Sequence, residues 1–107
     1  MPDDLVARFL PQFLSLARPR VASMIARVEG RDHAEKTVRD LHTLAGEAGL
    51  LGLGDIVSLA RDCEKKAKAL LVSRAEPDAE ALLSALRQLA RIVEGGGATS
   101  APTAGDT

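Results

Sequence analysis

The chain is poor in aromatic residues and in cysteine. It has no tryptophan or tyrosine, two phenylalanines and a single cysteine, Cys63, among 107 residues. A core without large aromatic rings has to be filled by Leu, Val, Ile and Ala, which favours helices packed on helices over a β-sheet. One cysteine excludes a disulfide within the chain and fits a reducing compartment.

The sequence also lacks a long apolar run and an excess of charge of either sign. No stretch approaches the roughly 18 consecutive apolar residues that a membrane span requires, and the Met-Pro-Asp-Asp start does not resemble a signal peptide. The net charge is −1, and no basic stretch interleaved with aromatic residues indicates nucleic-acid binding. We therefore expect one small cytoplasmic domain with neither nucleic acid nor a membrane as its partner.

Apolar residues recur at helical spacing through most of the chain, which predicts an all-α fold. Residues 3–10 predict a short N-terminal helix, and Pro11 then either opens a second helix or kinks one continuous helix. The short connections further on predict an up-down antiparallel four-helix bundle, with the additional short N-terminal helix packed on it. Residues 1–94 would form this bundle, and residues 95–107, rich in Gly, Ala, Thr and Pro, a flexible tail or linker.

Polar residues and glycine indicate where the later helices begin and end. Asp32 followed by Glu35 is a capping-box pattern, which predicts the start of the third helix. Gly52 predicts its end, because glycine adopts the left-handed conformation that closes helices at little cost. Asp55 is a candidate N-cap for the fourth helix, and Pro77 is expected to open the fifth.

The stretch from His42 to Gly52 has an unusual composition for a helix. His42 shares a helical face with neighbours three, four and seven residues away, and two of these neighbours are glycines, each costing about 1 kcal/mol relative to alanine in a helix. With so little side chain beside it, the imidazole would be reachable by a large, blunt partner. The residues on this face are Val38, Arg39, Ala45, Gly46 and Gly49.

The turn near residue 53 predicts which residue lies opposite His42. In an antiparallel hairpin, a residue about eleven positions before the turn is level with one about eleven after it, so His42 would face Glu64. A carboxylate that accepts the Nδ1 proton would fix the imidazole tautomer and leave Nε2 free as a nucleophile.

The run His-Thr-Leu-x-Gly-x-Ala-Gly-x-Leu-Gly resembles the phosphorylation motif of histidine-containing phosphotransfer (HPt) domains, which also form the first domain of chemotaxis-type histidine kinases. His42 matches the phosphoacceptor, Leu44 the core leucine beside it, and Gly46 the access glycine. The resemblance spans about residues 5–93 and includes Glu64, which matches an acidic residue held against the acceptor histidine.

The resemblance implies a phosphocarrier of a two-component phosphorelay. His42 would exchange a phosphoryl group with a receiver-domain aspartate, and a histidine kinase, separate or in the same parent chain, would be the second partner. No Gly-Lys-Ser/Thr motif for ATP is present, so no cofactor is expected on the chain itself, and Mg²⁺ would belong to the receiver. Arg61, Lys65 and Lys68 could form a basic rim for the receiver's acidic pocket.

Two further interpretations concern the same residues. A zinc site from His42, Glu64 and Cys63 is disfavoured, because Cys63 falls on the apolar stripe of its helix. The rival function is an HPt-like docking module that binds a receiver or kinase without phosphotransfer. Its support is Ala45, which replaces a lysine usual in the family, together with the negative charge of Glu47; Arg39 could supply the missing cation.

Overall fold

The computed structural model describes residues 2–31 and 34–95, and this part of the chain is all-helical. No helix within it is long and apolar enough to cross a membrane. The four helices are α1 (Pro2–Glu29), α2 (Ala34–Leu50), α3 (Gly54–Ser73) and α4 (Glu76–Glu94).

The first helix is continuous, which corrects the prediction of a separate short N-terminal helix. Helix α1 runs through both Pro11 and Pro19. Each proline removes one backbone N–H, so the carbonyls of Ala7 and Ser15 lose their usual helical donors. All four residues are exposed, so water can bond to these carbonyls and the helix continues at a tolerable cost.

The helices surround a core of mainly aliphatic side chains, which also contains Phe13. Helix α2 packs on α3, α3 on α4, α4 on α1, and α1 on α2. Full burial of a Val, Leu, Ile or Met side chain contributes about 1.5–3 kcal/mol relative to exposure. The largest fully buried apolar side chains are Val21, Met24, Leu41, Leu44, Ile56, Leu82, Leu86, Leu89 and Val93.

The connection from α2 to α3 is a tight turn closed by Gly52. Its φ of 72° lies in the left-handed region, which glycine adopts without a Cβ penalty. The Leu53 N–H donates to the Ala48 carbonyl at 2.9 Å, and the Gly52 N–H donates to the Gly49 carbonyl at 3.1 Å. These two bonds form a Schellman motif, which satisfies the last carbonyls of α2 and reverses the chain. Gly52 thus closes the helix as the sequence predicts.

Helix α3 starts differently from the prediction. It begins at Gly54 with Leu53 as its N-cap, and no side chain makes a capping hydrogen bond. Asp55 is therefore not the N-cap but a residue of the first turn, where its negative charge favours the positive end of the helix dipole. The capping box predicted from Asp32 lies outside the described residues.

Two ion pairs fix how α1 and α2 lie against each other. Arg27 Nη2 lies 2.7 Å from Asp40 Oδ2, and Arg20 Nη1 lies 3.1 Å from Glu47 Oε1. The pairs ascend one helix while descending the other, so α1 and α2 are antiparallel. Because such partly exposed pairs contribute at most about 1 kcal/mol, their main effect is on register. The α2 residues of these pairs, Asp40 and Glu47, lie on either side of His42 in the sequence but on another face of the helix. The face of α2 that carries His42 is therefore not covered by α1.

Candidate functional site

His42 projects from the middle of α2 into solvent. Its side chain is 79% exposed, although Leu41 and Leu44 on the same helix are completely buried. Burial of these two leucines fixes the rotation of α2 about its axis, and His42 then falls outside the buried stripe. Core packing on the opposite face of α2 therefore keeps the imidazole in solvent.

Glu64 on α3 holds one nitrogen of this imidazole. Its Oε2 lies 3.2 Å from His42 Nδ1, and its side chain is only 14% exposed. An ionised carboxylate can only accept hydrogen bonds, so the neutral imidazole bound to it carries its proton on Nδ1. The lone pair of Nε2 is then available on the exposed ring.

Lys68 contacts the same carboxylate oxygen, one turn further along α3. Its Nζ lies 3.5 Å from Glu64 Oε2, and its side chain is 63% exposed. Glu64 therefore lies between the imidazole and an ammonium group. The arrangement combines a nitrogen lone pair, a carboxylate and an exposed cation, all near one point of the surface.

The surface beside His42 is open because Gly46 and Gly49 carry no side chain. A Cβ added at Gly46 would meet nothing within 4 Å, and one at Gly49 would meet only Val57 Cγ2, at 3.9 Å. Neither glycine is required by packing within the described part of the chain. Alanine at either position would be about 1 kcal/mol more favourable in the helix. Packing within the described residues therefore does not explain why glycine occupies these two positions.

Comparison with known proteins identifies the family. The family model for the Hpt domain matches residues 8–94. The chain belongs to the Hpt domain family. Hpt domains act in phosphorelays together with kinases and receiver domains, so the family implies phosphotransfer signalling in general terms. Comparisons with curated proteins and with solved structures found no match.

Most of the residues predicted from the sequence for this Hpt domain lie on its surface. Arg39, three residues before His42, is exposed, and Arg61, Lys65 and Lys68 are exposed on α3. These three cations of α3 lie within four residues of Glu64 along the helix, and Lys68 is the one of the three that forms an ion pair with its carboxylate.

Ala45 is the exception, and its assignment to the partner-binding surface is wrong. It is only 3% exposed and belongs to the core. Three residues correspond to about 300° of helical rotation, which turns Ala45 away from Gly46 and back towards Leu41 and Ala48. Of the two residues that follow His42 by one helical turn, Ala45 is therefore buried and Gly46 is exposed.

Leu50 is a surface residue of this Hpt domain that sequence reasoning missed. It is 88% exposed and follows Gly46 by four residues, as Gly46 follows His42. Residues four apart lie side by side on a helix, so an imidazole, an open position and an exposed leucine form one row along α2. The spacing was readable from the sequence, but nothing in it showed that Leu50 is left outside the core.

Cys63 takes no part in the site of this Hpt domain. The thiol is completely buried in the core, and burial raises its pKa from 9.0 to about 12. Among the residues that the structure describes, no group of three or more His, Cys, Asp or Glu side chains could hold a metal ion. The potential ligands of the disfavoured zinc site are thus separated, with Cys63 in the core and His42 in solvent.

Proposed function

We propose that this Hpt domain is a phosphocarrier that accepts a phosphoryl group on His42 Nε2 and exchanges it with the aspartate of a receiver domain. The observation that carries the proposal is the contact between His42 Nδ1 and Glu64 Oε2 at 3.2 Å on an imidazole that is 79% exposed. One nitrogen is held, and the other faces the solvent from which a partner arrives.

The proposed transfer needs few groups from this chain. The lone pair of Nε2 attacks phosphorus, the bond between phosphorus and the aspartate oxygen breaks, and the aspartate leaves as a carboxylate. The imidazole then bears both a proton on Nδ1 and phosphorus on Nε2, so the ring is positively charged. Glu64 stabilises that charge, as a carboxylate does for the histidine of a catalytic triad. The same cationic ring is a good leaving group when the phosphoryl group is passed on.

The surface around His42 supports a receiver domain as the partner. Positioning and electrostatics carry most phosphoryl-transfer catalysis, and Mg²⁺ would be supplied by the receiver's acidic pocket. Arg61, Lys65 and Lys68 would attract that pocket and speed association. The open backbone at Gly46 and the exposed Leu50 would allow close contact beside the imidazole.

The proposal also covers the arrangement of the helices, the second partner and the cellular compartment. We propose the up-down antiparallel bundle, which the tight turn at Gly52 and the opposed ion pairs of α1 and α2 support. A histidine kinase, separate or in the same parent chain, would be the other partner. The proposed compartment is the cytoplasm, whose reducing conditions fit the single buried thiol of Cys63.

The rival function, a docking module without phosphotransfer, loses one of its two supports. Glu47 forms an ion pair with Arg20 at 3.1 Å on the α1 side of the helix, so its negative charge is compensated away from His42. Ala45 remains as the second support, because its buried methyl group places no cation beside the imidazole.

The test is transfer of labelled phosphate from a phosphorylated receiver or a kinase to this chain and to its His42→Gln variant. We expect a label that is stable in alkali, labile in acid and absent from the variant. Glutamine keeps a polar side chain of similar length at this exposed position, so the fold should be preserved. Binding of a receiver without any label would establish the docking module instead.

A further inference from the structure

We propose that Lys68 binds the phosphoryl group of phosphorylated His42. When the imidazole is modified, the Lys68 ammonium group moves from Glu64 to the phosphoryl oxygens. This inference rests on the proposed function and deepens it. It starts from the observation that Glu64 Oε2 is shared between His42 Nδ1 at 3.2 Å and Lys68 Nζ at 3.5 Å.

A phosphoryl group on His42 creates an electrostatic problem that the site must solve. It adds about −1.5 to −2 charges near neutral pH on Nε2, across the ring from Glu64, whose side chain is largely buried and therefore poorly screened by water. The single positive charge of the ring between them does not neutralise both anions. Repulsion between the two anions would disfavour the phosphorylated state. A cation that moves to the phosphoryl oxygens reduces this penalty.

Lys68 is held loosely enough to move. Charge-assisted N–H···O bonds are usually about 2.7–2.9 Å long, whereas Lys68 lies 3.5 Å from its carboxylate oxygen and its side chain is 63% exposed. A lysine ammonium has three donors on a flexible four-carbon stem. Lys68 can therefore turn towards the phosphoryl oxygens while Glu64 keeps the Nδ1 proton of His42.

No other cation in the described part of the chain contacts this carboxylate or the imidazole. Arg61 and Lys65 are exposed near Glu64 without an ion pair to it. Lys66 is held by both oxygens of Asp62, at 3.0 and 2.9 Å. The pairs Asp62–Lys66 and Glu64–Lys68 have the same spacing on the same helix, but only the second includes a residue that touches His42.

The pair Asp62–Lys66, which has the same spacing as Glu64–Lys68, supplies the control for the test. The full chain would be phosphorylated with phosphoramidate, a small donor that needs no docking surface; its P–N bond breaks, ammonia leaves, and Nε2 of His42 forms the new bond to phosphorus. Lys68→Met would be compared with Lys66→Met, which removes an equal charge and an ion pair of equal spacing. Lys68→Arg keeps the positive charge.

Two quantities are measured on the phosphorylated proteins: the lifetime of the phosphohistidine, and the pH midpoint of the ³¹P chemical shift. The cation favours the dianion and is less needed in the loose transition state of phosphoryl loss. In Lys68→Met we expect the lifetime to fall about threefold and the midpoint to rise by about 0.5 pH unit, as loss of one exposed ion pair implies. Lys66→Met should match the wild type in both, and Lys68→Arg should restore most of both.

The outcomes separate this inference from the proposed function. If wild-type His42 is phosphorylated and Lys68→Met has the same lifetime and midpoint as Lys66→Met, the role of Lys68 is overturned while the phosphocarrier stands. If His42 takes no phosphoryl group from any donor, the phosphocarrier itself is overturned. A midpoint that shifts only in Lys68→Met supports Lys68 as the cation that acts on the phosphoryl group, because Lys66→Met removes an equal charge from the same helix.

Discussion

At the scale of single residues, the site depends on one histidine whose two nitrogens are in different environments. Glu64 holds Nδ1 and is itself mostly buried, whereas the rest of the ring is in solvent. Counting residues outward from the turn predicted that His42 faces Glu64, because an antiparallel hairpin fixes which residues are level. Counting could not predict that Lys68 shares the carboxylate oxygen, since that depends on side-chain rotamers. It also placed Ala45 on the surface, although the core takes it up.

The glycine at position 46 gives a prediction at this scale. Gly46→Ala should raise the free energy of unfolding by about 0.5–1 kcal/mol, because alanine is the better helix former and its Cβ meets nothing within 4 Å. Transfer from a receiver should nevertheless slow, since the new methyl group lies beside the imidazole where the partner must approach. Urea unfolding and the rate of phosphoryl transfer measure the two effects.

Labelling by phosphoramidate serves as the internal control for Gly46→Ala, because so small a donor does not need the open surface. Slower transfer from the receiver with normal labelling by phosphoramidate would support access as the purpose of the glycine. Unchanged transfer from the receiver would show that a bare backbone at Gly46 is not needed for docking.

At the scale of helices, the sequence predicted positions well but two boundaries incorrectly. Apolar spacing identified each helix of the bundle, and Gly52 identified the end of α2. Proline suggested a break at residue 11 where α1 continues, because an exposed proline loses only a hydrogen bond that water can replace. Asp55 was assigned as a cap, although the Schellman turn lets α3 begin at Gly54. Local residue preference could not settle either case, because solvent exposure and the preceding turn decide them.

Two of the left-handed positions at helix ends give a matched pair of predictions. Gly52 has a φ of 72° and Arg74, at the C-cap of α3, a φ of 53°. Left-handed backbone costs a residue with a Cβ about 1 kcal/mol or more. Gly52→Ala should therefore lower the free energy of unfolding by about 1 kcal/mol, whereas Arg74→Gly should raise it by about 0.5 kcal/mol. Urea unfolding midpoints measure both; shifts of the same sign would contradict the account.

At the scale of the whole molecule, the bundle holds the surface around His42 in one orientation. The aliphatic core fixes the rotation of α2, the turn at Gly52 sets α3 against it, and the ion pairs with α1 set the register on the other side. The all-α class followed from composition and periodicity, because a chain with only two aromatic residues leaves few alternatives. The family followed from the spacing around His42. The open row of His42, Gly46 and Leu50 did not, since it depends on which side of α2 the neighbouring helices leave uncovered.

The central claim is that His42 carries the phosphoryl group on Nε2 while Glu64 keeps the proton of Nδ1. The most direct test is ¹⁵N and ³¹P NMR spectroscopy of the phosphorylated chain with ¹⁵N-labelled histidine, which shows the ring nitrogen bound to phosphorus. We predict phosphorus on Nε2 of His42 and no phosphohistidine in His42→Gln. Phosphorus on Nδ1, which would require the ring to leave Glu64, or a His42 without phosphorus after exposure to receiver, kinase and phosphoramidate, would contradict the account.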